Sequence, residues 1–355
     1  MDNYKRVQEL LNDLRLDAIL ISNMNNVRYI SGYAGDTGYL FISQKRHALL
    51  TDFRYTYQAE REALGYEIIT IGDHGYEEAI NEMLRTDQID TLGFEANDLL
   101  YAKYQGFKDK LEVKELIPIK DEVTRLRRIK TPQELEYLKQ AEAIGDKVFS
   151  EILDFIKPGM TELEVAARIE YLLKTKGGQG LSFHAIVASG INSSMPHAVP
   201  TQKKIEVGDF LTMDFGCIYE GYCSDMTRTI VIGKATDKQK GIYNKVLEAQ
   251  EAALAVIKAG LTGREVDKVA RDIIYQAGYE GCFGHGLGHG VGLFIHESPR
   301  LSAMEDEILQ PGMVETVEPG IYLKGYGGVR IEDMVVVTKT GYENFTFSEK
   351  KLIEL

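Results

Sequence analysis

Four acidic side chains interrupt sequence that otherwise reads as buried strand, and a glycine-rich run between them supplies histidines. Asp214 lies in Leu211-Thr-Met-Asp214-Phe-Gly216, and Asp225 follows a turn signal at Glu220-Gly221 and precedes Thr227, Ile230 and Val231. The apolar pattern predicts a β-hairpin over 211–232 with a loop of about four residues. In that register Asp214 and Asp225 face each other to within one step, and like charges across a ladder repel unless a cation sits between them. Glu318, in Val314-Glu-Thr-Val-Glu318-Pro-Gly320, and Glu332, in Gly328-Val-Arg330-Ile-Glu332-Asp333-Met, break two further strand-like stretches. Buried carboxylates of this kind need partners or metals.

His285, His289 and His296, three of the seven histidines, fall in Phe283-Gly-His285-Gly-Leu-Gly-His289-Gly-Val-Gly-Leu-Phe-Ile-His296-Glu297. Glycine at every second position argues against a helix, so His285 and His289 are not a helical zinc-protease pair. Such a backbone can instead approach a site closely while its histidines project inward. His197, in Met195-Pro-His197-Ala198, precedes the first acidic hairpin much as His296 precedes the second. His47 and His74 have no supporting residues and are read as structural, and His184 is left open between the two roles. Asp214-Phe215-Gly216 is not accompanied by the other protein-kinase signatures, and no Gly-x-Ser-x-Gly elbow occurs. The glycine run also lacks the flanking strand, helix and later acid of a dinucleotide site.

The elements that position these residues show a repeat. Lys157-Pro-Gly-Met-Thr161-Glu-Leu-Glu164-Val165 recurs as Lys258-Ala-Gly-Leu-Thr262-Gly-Arg-Glu265-Val266, each a capping box opening an amphipathic helix that ends at Gly177 or Gly278. Gly208 to Gly216 aligns with Gly312 to Gly320 at nearly the same interval, which pairs Asp214 with Glu318. The reading is a duplicated αβ half related by a pseudo-twofold. Upstream, a helix near 3–15, strands at 17–22, 38–43, 47–51 and 66–71, and helices near 53–63 and 98–109 predict a small α/β domain. The charged stretch 117–130, with Pro118, Arg125, Arg127 and Arg128, marks a junction, and its arginines are read as a solvated face. Domains are accordingly expected at 1–124 and 125–355. Thr131-Pro-Gln-Glu134 then caps a long helix to about Ile156.

Composition limits the function. In 355 residues, 41 Lys plus Arg stand against 54 Asp plus Glu, a net charge of −13, which disfavours nucleic acid as a partner. Three cysteines, none in a Cys-x-x-Cys pair, fit a reducing compartment, and the amphipathic N-terminus with no long apolar run points to a cytoplasmic protein without membrane attachment.

The order Asp214, Asp225, His289, Glu318, Glu332, with Gly-His-Gly-x-Gly-His-Gly, Val-Glu-Pro-Gly-Ile-Tyr and Val-Arg-Ile-Glu-Asp around the last three, resembles the pita-bread metallopeptidases. Within them the chain is similar to the Xaa-Pro dipeptidase (prolidase) and aminopeptidase P branch. Arg28-Tyr-Ile-Ser-Gly32 and Leu50-Thr-Asp-Phe-Arg-Tyr55 resemble that branch's creatinase-type N-terminal domain. The resemblance implies a creatinase-type α/β domain followed by a pita-bread domain. It implies two divalent ions held by Asp214, Asp225, His289, Glu318 and Glu332, with Mn²⁺ first and Co²⁺, Fe²⁺ or Zn²⁺ as alternatives. Such a pair would draw a nucleophile from water near neutral pH and stabilise the developing oxyanion. Glu318 would relay the proton, and His197 and His296 would hold the carbonyl or protonate the leaving nitrogen. Arg300 is expected to clamp a substrate's C-terminal carboxylate, and Arg330 to border the substrate and support the metal residues from outside. Phe294 and His184 stand where many relatives carry an acid, which bears on the pocket wall.

The function implied is Xaa-Pro dipeptide hydrolysis by a homodimer acting on short proline-containing peptides. The alternatives are an aminopeptidase P acting on longer peptides, creatine-type chemistry needing no metal, and an inactive binding module.

Overall fold

The computed structural model describes residues 3–73 and 75–355, so His74 lies outside the described residues. The chain forms two compact units, one ending at Arg127 and the other spanning Arg128–Leu355. No helix among the described residues is long and apolar enough to cross a membrane.

The first unit begins with α1 (Asn3–Leu14), β1 (Ala18–Ile21), α2 (Met24–Ser31), β2 (Tyr39–Ser43), β3 (His47–Asp52), α3 (Thr56–Glu62) and β4 (Glu67–Ile71). It continues through α4 (Gly75–Asp87), β5 (Thr91–Glu95), α5 (Tyr101–Lys110), β6 (Glu115–Ile119) and α6 (Glu122–Arg125). Its six strands form one sheet in the order β4-β3-β2-β1-β5-β6. β1 reads Ala-Ile-Leu-Ile and is buried at every position, as expected of a strand covered on both faces. Ala18 and Leu20 share a core with Ile80, Met83 and Leu84 of α4 and Phe107 of α5. α2, α4, α6, β5 and β6 are additional to the elements expected from sequence. Part of β6 lies in the stretch read as a charged junction, and Pro118 is tolerated there because β6 is an edge strand. His47 stacks on Tyr4 with ring centroids 4.3 Å apart and faces the Gly65 carbonyl at 2.9 Å, a structural setting.

The solvated-face reading of the arginine run is corrected: Arg127 and Arg128 are buried. Arg128 donates to Ser298 Oγ at 2.8 Å and pairs with Glu307, so its charge is matched rather than hydrated.

The second unit opens with α7 (Pro132–Phe155), capped by Thr131 and Glu134 in a reciprocal box, then α8 (Glu162–Thr175). β7 (Gly180–Leu181), β8 (Ile186–Ser189), β9 (Phe210–Phe215), β10 (Cys217–Tyr219), β11 (Tyr222–Cys223) and β12 (Met226–Val231) follow. The second half repeats the plan with α9 (Asp237–Val256), α10 (Gly263–Ile274), β13 (Gly288–Gly290), β14 (Glu297–Leu301), β15 (Val314–Val317), β16 (Gly320–Leu323), β17 (Gly327–Arg330), β18 (Asp333–Val337) and β19 (Tyr342–Asn344). Thr161 with Glu164 and Thr262 with Glu265 both form complete capping boxes, at the start of α8 and α10. α7 and α8 pack on the β12-β9-β8 sheet through Ile144, Val165, Leu211 and Ile230. α9 and α10 pack on the β14-β13-β15-β18-β19 sheet through Val246, Val266, Leu287 and Val335.

The first hairpin differs from expectation in register. Its loop is the two residues Glu220-Gly221, both in the left-handed region (φ 49° and 86°), and not about four. Asp214 therefore pairs with Thr227 and Phe215 with Met226, so Asp225 lies two residues past Asp214's partner. The two aspartates occupy a diagonal of one face rather than direct opposition, since residues two apart on a strand share a face.

Candidate metal centre

The carboxylate positions follow from strand ends. Asp225 immediately precedes β12 and Glu332 immediately precedes β18, while Glu318 follows β15 and Asp214 sits within β9. His289 is the middle residue of β13. The glycines of that run are required by contact: a Cβ on Gly288 would lie 1.9 Å from the Thr316 carbonyl oxygen. Close backbone approach thus seats β13 between β14 and β15, and it orients His289 toward the acids.

A cavity of about 570 Å³ receives all five residues, together with His184, His197, His285, His296, Arg300 and Arg330. His289 Nε2 lies 3.4 Å from Asp225 Oδ2 and 3.4 Å from Glu318 Oε1. Ligand atoms of Asp225, His289 and Glu332 lie within 4.8 Å of one another. His289 Nδ1 is 3.1 Å from the Gly290 carbonyl, which can only accept, so Nδ1 carries the proton and Nε2 presents a lone pair. Burial also holds this imidazole below its ordinary pKa, and hence neutral.

Charge in the centre is far from balanced. Burial, then the neighbouring Asp214, pushes Asp225 well above the usual carboxylate range. Burial and Asp225 do the same to Glu332. Burial pushes Glu318 up to about 7 despite the opposing effect of His289. Among the described residues one guanidinium bonds into the cluster: Arg330 donates to Asp214 Oδ2 at 2.5 Å, Thr227 Oγ1 at 3.0 Å, Tyr322 OH at 2.8 Å and the Pro196 carbonyl at 3.1 Å. The other Asp214 oxygen is buried with no protein partner among the described residues. An orphaned carboxylate oxygen beside three more acids and an Nε2 lone pair fits a divalent cation, which would satisfy groups that are costly to bury otherwise.

The remaining residues expected from sequence surround this cluster. The His296 ring lies 4.5 Å from that of His289, edge to face, and partial burial with His289 and Arg300 nearby pushes its pKa down to about 4. His197 and His184 are exposed within the cavity wall. Arg300 is exposed there too, and its guanidinium has no protein partner among the described residues. Phe294 is exposed and lies outside the cavity lining.

Four supporting residues were not singled out by sequence reasoning. Thr227 donates to Glu332 Oε2 at 2.6 Å, and Thr316 donates to Glu318 Oε1 at 3.1 Å while accepting the His289 amide at 3.1 Å. Both threonines lie two residues from an acid on an extended segment, a same-face spacing that could have revealed them. Tyr322 and Glu142 act across long sequence separations and left no local signal. His285, held at Nδ1 by the Gly286 carbonyl at 2.7 Å, accepts the Tyr322 hydroxyl at Nε2, 2.9 Å away.

A mixed α/β chain with this buried acid and imidazole cluster at the ends of duplicated hairpins is a metal-dependent hydrolase of pita-bread architecture. The description Metallopeptidase family M24 matches residues 136–339, and Creatinase/Prolidase N-terminal domain matches residues 4–129. The chain belongs to the M24 metallopeptidase family. It is 39% identical to the Xaa-Pro dipeptidase of Pyrococcus horikoshii, over 99% of both chains. Among solved structures it resembles an Xaa-Pro dipeptidase from Bacillus anthracis, with TM-score 0.97 and 46% identity over 100% of this chain and 99% of the other. It also resembles an X-Pro aminopeptidase from Thermotoga maritima, with TM-score 0.92 and 38% identity over the whole of both chains.

Proposed function

We propose that this chain is a metal-dependent exopeptidase that hydrolyses Xaa-Pro dipeptides, with Asp214, Asp225, His289, Glu318 and Glu332 holding two divalent ions. The observation that carries this reading is the convergence of those five residues on one cavity in which an Asp214 oxygen has no protein partner. Bound there, a divalent pair would supply Lewis-acid polarisation of the scissile carbonyl and a nucleophile from water. The protein's own groups do the rest. Glu318, beside His289 Nε2 and Thr316 Oγ1 at the cavity, takes up and returns the proton during turnover. His296 and His197, on the cavity wall, hydrogen-bond the substrate carbonyl and the leaving nitrogen. Arg330 holds Asp214 in place and borders the substrate.

Arg300 favours a dipeptide. Among the described residues its guanidinium has no protein partner, and it can take a C-terminal carboxylate bidentately. A longer peptide has no carboxylate at that position. The same reading includes Mn²⁺ as the working metal, a homodimer, a cytoplasmic location, and division into a creatinase-type domain at 1–124 and a catalytic domain at 125–355.

The test is hydrolysis of Leu-Pro and of a Leu-Pro-Xaa tripeptide by chelator-stripped protein with Mn²⁺, Co²⁺ or Zn²⁺ restored in turn. Metal-dependent cleavage of the dipeptide is expected. Preference for the tripeptide would move the function to aminopeptidase P, a name the Thermotoga maritima relative resembles.

A further inference from the structure

We propose that the C-terminal segment 344–350 is a strap that fixes the backbone beneath two of the metal-holding carboxylates, with Glu142 of α7 as its positioning residue. This rests on the metal-centre reading above. The segment lies beyond residue 339, where the match to the catalytic family description ends.

Glu142 is fully buried and its two oxygens have separate tasks. One accepts the backbone N–H of Asp225 at 3.2 Å, and the other accepts the Thr346 hydroxyl at 2.7 Å. Thr346 Oγ1 in turn accepts the backbone N–H of Met334 at 2.9 Å, two residues beyond Glu332. A single carboxylate thereby joins the chain at Asp225 to the chain just past Glu332, through one hydroxyl of the strap.

The strap is fastened on both sides of Thr346. One helical turn along α7, Asp146 accepts the N–H of Phe347 at 2.9 Å, and the N–H and hydroxyl of Ser348 at 2.7 and 2.5 Å. From β12, the buried Arg228 donates to the carbonyls of Ser348 at 2.8 Å and Glu349 at 3.1 Å, to Asp333 Oδ1 at 2.9 Å, and to the carbonyl of Glu332. Asn344 and Lys350, at the two ends of the segment, reach the other Asp333 oxygen at 3.2 and 2.8 Å. These fastenings lead to α7, to Arg228 on β12 or to the segment just past Glu332, while Lys350 also reaches Gln250 at 3.1 Å and its carbonyl accepts the Tyr243 hydroxyl at 2.8 Å, both on α9. Those two acids repel each other, and a metal site needs its ligands held within roughly 0.5 Å of working geometry. The strap opposes their separation.

The test uses the full-length, chelator-stripped chain and Mn²⁺ titration by calorimetry, with melting of the metal-free protein in parallel. Thr346→Val and Glu142→Gln should each weaken Mn²⁺ binding about 10–100-fold, as loss of an outer partner of a metal ligand does. Thr346→Ser, which keeps the hydroxyl, should restore it. At saturating Mn²⁺, kcat should recover, and KM for Leu-Pro should be unchanged throughout. Wild-type Mn²⁺ affinity in folded Thr346→Val and Glu142→Gln would overturn the inference, and Glu142→Gln decides alone if Thr346→Val does not fold. Failure of the wild-type chain to bind Mn²⁺ at all would instead overturn the metal-centre reading, and the strap's role with it.

Discussion

Nε2 of His289 stands 3.4 Å from Oδ2 of Asp225, while the other nitrogen of the same ring is tied to the Gly290 carbonyl. A lone pair on each partner at that separation fits a cation between them. Asp225→Asn is therefore expected to lower kcat by about 10²–10³ or more, the scale for losing a principal electrostatic group. In the metal-free protein it should raise the melting temperature, because a buried carboxylate facing Asp214 and Glu332 is removed. Steady-state kinetics and melting with and without Mn²⁺ check both halves of this expectation.

Metal affinity should rise with pH through neutrality. Glu318 is pushed up to about 7 in the metal-free site, and burial and mutual repulsion also raise Asp225 and Glu332, so as pH falls a metal must increasingly displace protons from these acids. The sign for stability follows from the same shift. A folded pKa above the unfolded value means Glu318 favours the metal-free fold at low pH and loses that contribution as pH rises from its ordinary 4.5 through about 7. Calorimetry in buffers of different ionisation enthalpy should record proton release on Mn²⁺ binding that diminishes above neutrality.

Much of this centre was legible in the sequence because its acids violate strand preferences. Asp214, Asp225, Glu318 and Glu332 stood out from apolar runs, and alternating glycines set His289 apart from a helical motif. The hairpin register was less so: Glu220 adopts the left-handed conformation without being glycine, so a two-residue loop was not apparent, and Asp225 moved by two positions. Arg128 misled because charge pattern alone does not reveal partners as distant in sequence as Ser298 and Glu307, which the fold brings to its buried side chain. Glu142 and Tyr322 were silent since their partners are brought to them only by the tertiary fold.

Arg330 joins Asp214, Thr227, Tyr322 and the Pro196 carbonyl through one planar fork. Lysine has the charge without the fork. Arg330→Lys is expected to cost about 10–100-fold in kcat or metal affinity while leaving far-UV circular dichroism unchanged.

Arg300→Gln should raise KM for Leu-Pro about tenfold or more, the loss of a charge-assisted bond of roughly 1.5–3 kcal/mol, with little change in kcat. A Leu-Pro-amide, which has no terminal carboxylate, should be indifferent to the substitution. Equal effects on both substrates would remove Arg300 from carboxylate recognition.

Gly288→Ala places a Cβ 1.9 Å from the Thr316 carbonyl oxygen. Backbone cannot yield as a side-chain end can, so a loss of about 1–3 kcal/mol in unfolding free energy is expected, together with weakened metal binding as β13 shifts. Chemical denaturation of the metal-free protein measures the first effect and Mn²⁺ titration the second.

The most direct test of the metal centre is anomalous diffraction at the manganese edge from crystals of the chelator-stripped protein soaked in Mn²⁺. Two peaks within coordination distance of Asp214, Asp225, His289, Glu318 and Glu332 are predicted, both lost in Asp225→Asn. Absence of any peak at those residues in crystals of a preparation that hydrolyses Leu-Pro would contradict the assignment.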